Sequence, residues 1–376
     1  MALCIIGFVL FTISISIKPL IIIQAKKQLE KVFLQSQVSI GGCVFEPTRL
    51  LGLLDIEIKR PGVYDIKVKG ATLEYNLFSI LKSDSRKLSL KTVRVQVSTP
   101  RQGIAKFAGY FNLGPSHGAP VVGAVEISGL TLDLNTADLT AQATLSAKLG
   151  LISQSLRYLD LKIDTLGGFG LQLENAALKF GPDSGAGNLS IAQIKYDKLS
   201  ITDIKAGVKL RDNTLSLSGI SALTLGGDIQ GDLEVVMEKE ARYAANVKCA
   251  ALDMVRLAQD FDWRDKFEMT GKLSGELKLK GKGAEIEMLS GSFSALTPGG
   301  TLVIMDTKFL ENMARNTQLP LELLVENFKN YRYNTALLSL GLEDDNIILK
   351  VALEGEAGKR NLNVILQDFK LGREEK

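Results

Sequence analysis

Branched aliphatic residues occupy every second position through most of the chain after residue 37, and this period of two constrains the fold most strongly. The residues between these positions are mostly Glu, Asp, Ser, Thr, Gln and Lys. Successive side chains of a β-strand point to opposite faces, so each strand is apolar on one face and polar on the other. Such a sheet needs a cover for its apolar face, and the nature of that cover bears on function. In one stretch the alternating positions are Val125, Ile127, Leu130, Leu132, Leu134, Leu139, Ala141, Ala143, Leu145, Ala147 and Leu149.

The pattern predicts a mainly β protein with about 18 to 22 short strands. A composition of 35 Gly and 9 Pro suits a long antiparallel meander. Open sheets rarely exceed about 10 strands without curling, so strong twist is expected to bend this one into an elongated groove or a barrel. Apolar pairs assigned to single strand faces include Leu223 with Leu225 and Ile286 with Met288.

Composition and motifs argue against several functional classes. The net charge of +3 is small for 376 residues, so nucleic-acid binding is not expected. Cys4, Cys43 and Cys249 show no metal-ligand spacing, and the single histidine, His117, has no evident partners for a zinc site or a catalytic triad. No phosphate-binding loop or nucleophile–base arrangement is recognisable. We therefore expect no enzyme activity, catalytic residue, metal or cofactor.

The first 23 residues are almost wholly apolar, interrupted only by Lys18-Pro19. A helix of about 22 residues is long enough to cross a bilayer core of about 30 Å. A cleaved signal peptide is the alternative, but it would need a basic first segment and a small-residue cleavage site, and neither is present. Residues 1–23 are therefore predicted to form an uncleaved single-pass transmembrane anchor.

Residues 24–37 are predicted to form an amphipathic connector helix at the membrane surface, and a helix that caps one end of the sheet is the alternative. The segment carries Lys26, Lys27 and Lys31 directly after the anchor. The positive-inside tendency would place the body of the protein in the cytoplasm. That tendency is weakest for long translocated domains, so the topology stays open at this point.

Two regions interrupt the strand rhythm. Asp253 precedes apolar residues at helical spacing, which predicts a short helix near 253–262 with an aspartate N-cap. Residues 306–333 are also predicted to be helical, with a break at Pro320. These helices divide the body into an N-terminal β-groove region, 38–250, and a C-terminal β region, 251–376.

Glycine-punctuated motifs between residues 215 and 305 carry a family resemblance. Their core is Leu225-Gly-Gly-Asp-Ile-Gln-Gly231, then the helix after Asp253, then Gly271-Lys-Leu-Ser-Gly275 and Leu289-Ser-Gly291-Ser-Phe293. This order resembles the C-terminal region of the AsmA-like envelope proteins, the superfamily that includes TamB and YdbH. The opening strands, with Ile56-Glu-Ile-Lys-Arg-Pro61-Gly62, are similar to that family as well.

The resemblance implies a repeating β-groove fold whose concave face is lined with aliphatic side chains. It implies an anchor in the inner membrane of a Gram-negative-type bacterium and a body in the periplasm. It also implies movement of phospholipid between the inner and outer membranes. The partners expected on this basis are membrane lipids, the inner membrane itself, and an outer-membrane or periplasmic protein.

The predicted lipid-binding residues share one face of their strands, and a register slip of one residue would invert each assignment. Two other functions fit the same pattern. One is an assembly or scaffold factor that offers strand edges to outer-membrane proteins. The other is a structural β-rich envelope protein whose apolar face closes into a core. The predicted lining comprises Leu132, Leu134, Ala143, Leu145, Leu161, Ile163, Val208, Leu210, Leu215, Leu217, Leu277, Leu279, Leu349 and Val351.

Overall fold

The structure is a computed structural model. It describes the chain apart from residues 1, 34, 47–49, 75–86, 92–93, 100–123, 151–154, 182–185, 212, 239, 262, 266, 284, 307, 309, 312–313, 316–319, 344–345 and 367–376. Within helices and strands, the side chains of residues 2–16, 74, 87–91, 124–125, 149–150, 155–157, 327 and 364–366 also lie outside the description. The fold is mainly β, as predicted, with a few helices.

The chain divides into two compact units, Met1–Gly187 and Asn188–Lys376. The boundary at 250/251 between the two predicted β regions stays a prediction. The first unit contains helix α1 (Ala2–Val32) and strands β1 (Gln37–Glu46), β2 (Leu50–Arg60), β3 (Tyr64–Glu74), β4 (Lys87–Lys91), β5 (Arg94–Thr99), β6 (Ala124–Thr136), β7 (Leu139–Gly150), β8 (Ser155–Gly168) and β9 (Leu171–Phe180).

Before Met254 the regular elements described in the second unit are all strands, and its short helices and short strands follow from Met254 onward. Its elements are β10 (Ala186–Tyr196, which begins two residues before the division), β11 (Leu199–Arg211), β12 (Thr214–Thr224), β13 (Gly227–Val236), β14 (Arg242–Asp253), α2 (Met254–Asp260), β15 (Phe267–Met269), β16 (Lys272–Lys282), β17 (Glu285–Ala295), β18 (Gly300–Ile304), α3 (Leu321–Phe328), β19 (Tyr331–Tyr333), β20 (Thr335–Glu343), β21 (Asn346–Gly355) and β22 (Gly358–Leu366).

Among the described strands, pairing is mostly antiparallel, with two parallel pairs in the first unit. Strands β1, β2 and β3 pair in antiparallel order, β3 pairs with both β4 and β5, and β6 to β9 form an antiparallel meander. Strands β4 and β5 both pair with β6 in parallel. The prediction of an antiparallel sheet is therefore wrong at this junction. A parallel pair needs a crossover connection between its strands, and strand-by-strand alternation does not reveal one.

The second unit carries a long antiparallel ladder and a separate small sheet. The ladder runs β11–β12–β13–β14–β16–β17–β20–β21–β22. Strands β15, β18 and β19 form the small three-stranded sheet. We call α2, α3 and this small sheet the cap.

The cap and the strands beneath it form the largest buried cluster of the second unit. Tyr331 and Tyr333 of β19 are almost completely buried, with exposures of 2% and 1%. Their hydroxyls donate to the carbonyl oxygens of Gly358 and Thr270, each at 2.5 Å. Burial raises the pKa of Tyr333 to about 12. The cluster consists of Met254, Met269, Leu273, Leu302, Leu310, Leu324, Phe328, Tyr331, Tyr333, Ala336, Leu338, Leu353 and Leu362.

The two predicted helical regions have different outcomes. Helix α2 begins after Asp253, whose Oδ1 accepts from the Val255 amide at 2.8 Å, so the aspartate cap is observed. Within 306–333, helix α3 follows Pro320, but Tyr331–Tyr333 is a strand. The helical prediction is wrong at β19 because pairing with β18, remote in sequence, decides its conformation.

At the N-terminus, α1 runs to Val32 as one element and β1 begins at Gln37, so residues 24–32 of the predicted connector continue α1. Leu29 and Phe33 pack against the buried cluster of the first unit. No helix in the part of the chain that the structure describes is long and apolar enough to cross a membrane. The side chains of most of the predicted anchor, residues 1–16, lie outside the described residues, so the anchor stays a prediction.

An unpredicted feature recurs in the long strands: an interior residue with positive φ. Each such residue stands between two apolar residues that are three positions apart, such as Leu217 and Ile220 or Cys249 and Leu252. The pairing register shifts at both of these steps. Such β-bulges restart the alternation one residue later, so the apolar side chains stay on one face. Register shifts also accompany Gly129 and Asp203. The residues with positive φ in strand interiors are Asp55, Gly129, Asn175, Asp203, Gly219 and Ala251.

At three of these positions a side chain of the neighbouring strand satisfies the displaced backbone amide. The Gly129 amide donates to Ser146 Oγ at 3.0 Å, and the Gly219 amide donates to Asp232 Oδ1 at 3.0 Å. The Ala251 amide donates to Ser274 Oγ at 2.9 Å. Amides that leave the strand ladder thereby keep a hydrogen-bond partner.

Candidate functional site

The apolar face of the first unit is continuous across its strands. Leu132 of β6 pairs with Ala143 of β7, which pairs with Ile163 of β8. Leu145 and Leu161 pair in the adjacent row. Directly paired residues point to the same face, so the ladder brings these five predicted lining residues together.

Part of this face belongs to a buried core. Leu134, the remaining predicted residue of the unit, clusters with Ile58, Ile66 and Val97, and Leu132 packs against the same cluster. Leu29 of α1 and Phe33, the residue directly after α1, also pack against this cluster. Ala143, Leu145, Leu161 and Ile163 are instead only half-buried.

The apolar face of the second unit is also continuous. Leu217 pairs with Leu233, Leu233 with Ala245, and Ala245 with Leu279. We call these four residues the open row, because each is partly exposed and the buried cluster of the described residues does not extend to them.

The other predicted lining residues of the second unit lie beside the open row or beneath the cap. Val208 pairs with Leu217 and is 2% exposed, whereas Leu210 and Leu215 pair with each other and are half-buried. Leu277 occupies the row next to Leu279 and is half-buried as well. In contrast, Leu349 and Val351 pack against the buried cluster of the cap.

Two predicted face assignments are wrong, and both concern residues that follow a β-bulge or register shift. Ala222 is buried and Leu223 is 43% exposed, so the face assigned to Leu223 is wrong. Leu289 is buried and Met288 is 36% exposed, so that assignment is wrong too. Register irregularities precede both positions, at Leu217/Ile220 and at Lys280/Gly281.

The opposite face of the second unit is polar and solvated. Lys248 pairs with Glu276, and Asn246 pairs with Lys278. The Lys282 ammonium lies 2.8 Å from Glu240, and this ion pair holds the pKa of Glu240 below its usual range. Exposed pairs of this kind contribute little to stability.

Groups suited to metal or thiol chemistry are sparse. Among the described residues, no group of three or more His, Cys, Asp or Glu side chains could hold a metal ion. His117 lies outside the described residues. Cys249 lies on the apolar face, where it pairs with Ile229 and Gly275, and burial raises the pKa of its thiol. The apolar faces described above are the candidate binding surfaces.

Comparison with known proteins adds no assignment. No family model matches the chain, and no curated protein matches it.

Proposed function

We propose that this protein is a membrane-anchored envelope protein that carries phospholipid, or another lipid, along an apolar β-groove between the inner and outer membranes. The observation that carries the proposal is the open row: Leu217, Leu233, Ala245 and Leu279 form one cross-strand line of partly exposed aliphatic side chains. The resemblance to the AsmA-like envelope proteins supports the same function, including the inner-membrane anchor and the periplasmic body.

The chemistry required is burial without reaction. Each alkyl CH₂ removed from water contributes about 0.8 kcal/mol. A line of aliphatic side chains spread over several strands shields an alkyl chain along its length, while the headgroup stays in solvent. Similar side chains along the line give similar binding free energies at each position, so a lipid can move along it without meeting a deep free-energy minimum. The direction of movement would come from a partner or from the membranes themselves.

The aliphatic composition of the face favours lipid over a flat aromatic ligand. Aromatic residues make up only 6% of the chain. Between Tyr243 and Asp253, β14 has no aromatic residue, and β16 has none at all. Flexible alkyl chains suit such a surface because dispersion contacts with branched aliphatic groups are numerous and non-directional.

A closed structural core is the second candidate, and a specific observation favours it for part of the molecule. Leu349 and Val351 pack against a cluster that already contains Leu353, Leu338 and Tyr331. The proposal therefore concerns the open row and its neighbours, and the strands beneath the cap are assigned a structural role.

The test is lipid transfer with a charge placed in the open row. Full-length protein would be assayed for transfer of fluorescent phosphatidylethanolamine between phosphatidylcholine vesicles. We expect Leu279→Asp to lower the transfer rate by about tenfold or more, because an unpaired carboxylate is costly to bury against an alkyl chain. Its matched control is Asn246→Asp, which adds the same charge at an exposed position of the polar face.

Circular dichroism and thermal unfolding of both variants complete the design. A folded Leu279→Asp protein with unimpaired transfer would contradict the proposal. Unfolding of Leu279→Asp alone would indicate that the open row belongs to a closed core. The assembly-factor alternative predicts transfer at background rate in wild type and crosslinks to outer-membrane proteins.

A further inference from the structure

Phe293 stands at the border between the open row and the cap. It lies on β17 and packs against the buried cluster while remaining only half-buried itself. Its row on the apolar face runs from Cys249 through Gly275 to Phe293 and on to Leu338. The rows on either side of it differ: Leu277 is half-buried, whereas Leu273 is buried in the cluster.

The Phe293 ring lies over two glycines. A methyl group added at Gly291 would lie 3.1 Å from Phe293 Cε2 and 3.1 Å from Leu277 Cδ1. A methyl group added at Gly275 would lie 2.6 Å from Phe293 Cδ1 and closer still to the carbonyl oxygen of Ser292, so the backbone of β17 also approaches this glycine closely. The ring therefore lies beside both glycines and occupies space that a side chain at position 291 would otherwise fill, between Leu277 and the cap.

A second aromatic residue closes the same strip at the other end of the strands. Tyr243 pairs with Gly281, and a methyl group at Gly281 would collide with the phenol of Tyr243. The Tyr243 hydroxyl donates to the carbonyl oxygen of Glu285 at 3.2 Å. The residues enclosed between the two rings are aliphatic, and we call them the aliphatic strip: Ala245, Val247, Leu277 and Leu279.

We propose that Phe293 is a specificity-determining residue for alkyl chains, acting as the wall that keeps them in the aliphatic strip and out of the space beneath the cap. This inference rests on the proposed lipid function. A rigid ring supported by two glycines blocks a chain physically, whereas the branched aliphatic side chains of the strip accommodate it. The row of Phe293 lies between the row of Leu277 and the row that pairs Leu273 with Ala295, so removal of the ring would open a gap from the first toward the second.

Aromatic rings over glycines also stabilise sheets, so stability alone would not reveal a wall. The experiment is photocrosslinking of the full-length protein with phosphatidylcholine vesicles in which one acyl chain carries a terminal diazirine. Adducts would be located by peptide mass spectrometry. In the wild type we expect them on the aliphatic strip. In Phe293→Ala we expect adducts on Leu273 and Ala295 to rise severalfold.

Two further variants separate the wall from a structural role. Phe293→Leu retains most of the bulk and should give an adduct pattern close to that of the wild type even where Phe293→Ala is unstable. Tyr243→Phe retains the ring and removes only the hydroxyl, so it should leave the pattern at Leu273 and Ala295 unchanged.

The outcomes distinguish the two levels of the proposal. Adducts on the aliphatic strip that do not move in a folded Phe293→Ala protein would overturn the wall and leave the lipid function standing. Adducts on Leu273 and Ala295 in the wild type would also overturn the wall. Absence of adducts from the apolar face in every variant would overturn the lipid function and the wall together.

Discussion

The capped and open parts of the second unit are built from the same aliphatic alternation but have different surroundings. Beneath the cap, Leu338 and Leu353 are buried among Tyr331, Tyr333 and Phe328. In the open row, Leu233 and Leu279 point to the same face and stay partly exposed. The contrast teaches that an apolar strand face becomes core or candidate ligand surface according to what covers it.

We expect the largest difference in stability when a leucine is changed to alanine in each part. Leu324 lies in the cap and is 4% exposed, so Leu324→Ala should lower the free energy of unfolding by about 2 to 5 kcal/mol. Leu279→Ala should lower the free energy of unfolding by about half as much or less, because folding buries less of this partly exposed side chain. Urea unfolding of the full-length variants measures both. Equal losses would mean that the open row is packed like the cap.

The next effect tests the bulges, which keep the apolar face continuous. Gly219 has φ +61, and nothing lies within 4 Å of a methyl group placed there. Gly219→Ala should therefore cost about 1 to 2 kcal/mol through backbone conformation alone. Gly341→Ala is the matched control, since its surroundings are equally open and its φ is not positive.

Thermal or urea unfolding of these two alanine variants gives the comparison directly. The control should be neutral or slightly stabilising, because alanine restricts the unfolded chain. A Gly219→Ala protein as stable as its control would show that residue 219 does not need the left-handed conformation. The register shift between Leu217 and Ile220 of β12 would then need another cause.

The smallest expected effect concerns the reactivity of Cys249, which lies at the border between the capped and open parts. Burial disfavours the charged thiolate and so raises the pKa of this thiol. At pH 8 a smaller fraction is thiolate than in an ordinary cysteine, and the rate of alkylation by iodoacetamide should be severalfold lower and should still rise above pH 9.

The measurement uses a Cys4→Ser, Cys43→Ser background, so that Cys249 is the only reactive thiol. The control combines Cys249→Ser with Ala250→Cys, which moves the thiol to the exposed opposite face. Similar rates and similar pH profiles for the two thiols would indicate that Cys249 is solvated and that the apolar face is not shielded there.

Several features could be predicted from the sequence because their causes are local. The alternation of Leu130, Leu132 and Leu134 specifies a strand with one apolar face, whatever its neighbours. The Asp253 cap depends only on the two amides that follow within its own turn. Even the bulges leave a local trace, since Ile127 and Leu130 are separated by three positions instead of two.

Other features could not be predicted because distant residues decide them. Tyr331–Tyr333 forms a strand through pairing with Gly300–Leu302, and β4 and β5 pair with β6 in parallel. Alternation in the sequence assigns Leu223 and Met288 to the apolar face, yet register shifts place both on the solvated face. Neither the partner nor the register is encoded within the segment itself.

For this protein, the sequence by itself determined that the chain is mainly β and that most strands carry an aliphatic face, because side-chain alternation is a property of each strand. Only the tertiary structure decided which stretches of that face are covered. Leu349 lies beneath the cap and Leu279 does not, although both follow the same pattern. The difference depends on contacts between segments far apart in the chain, which no local period contains.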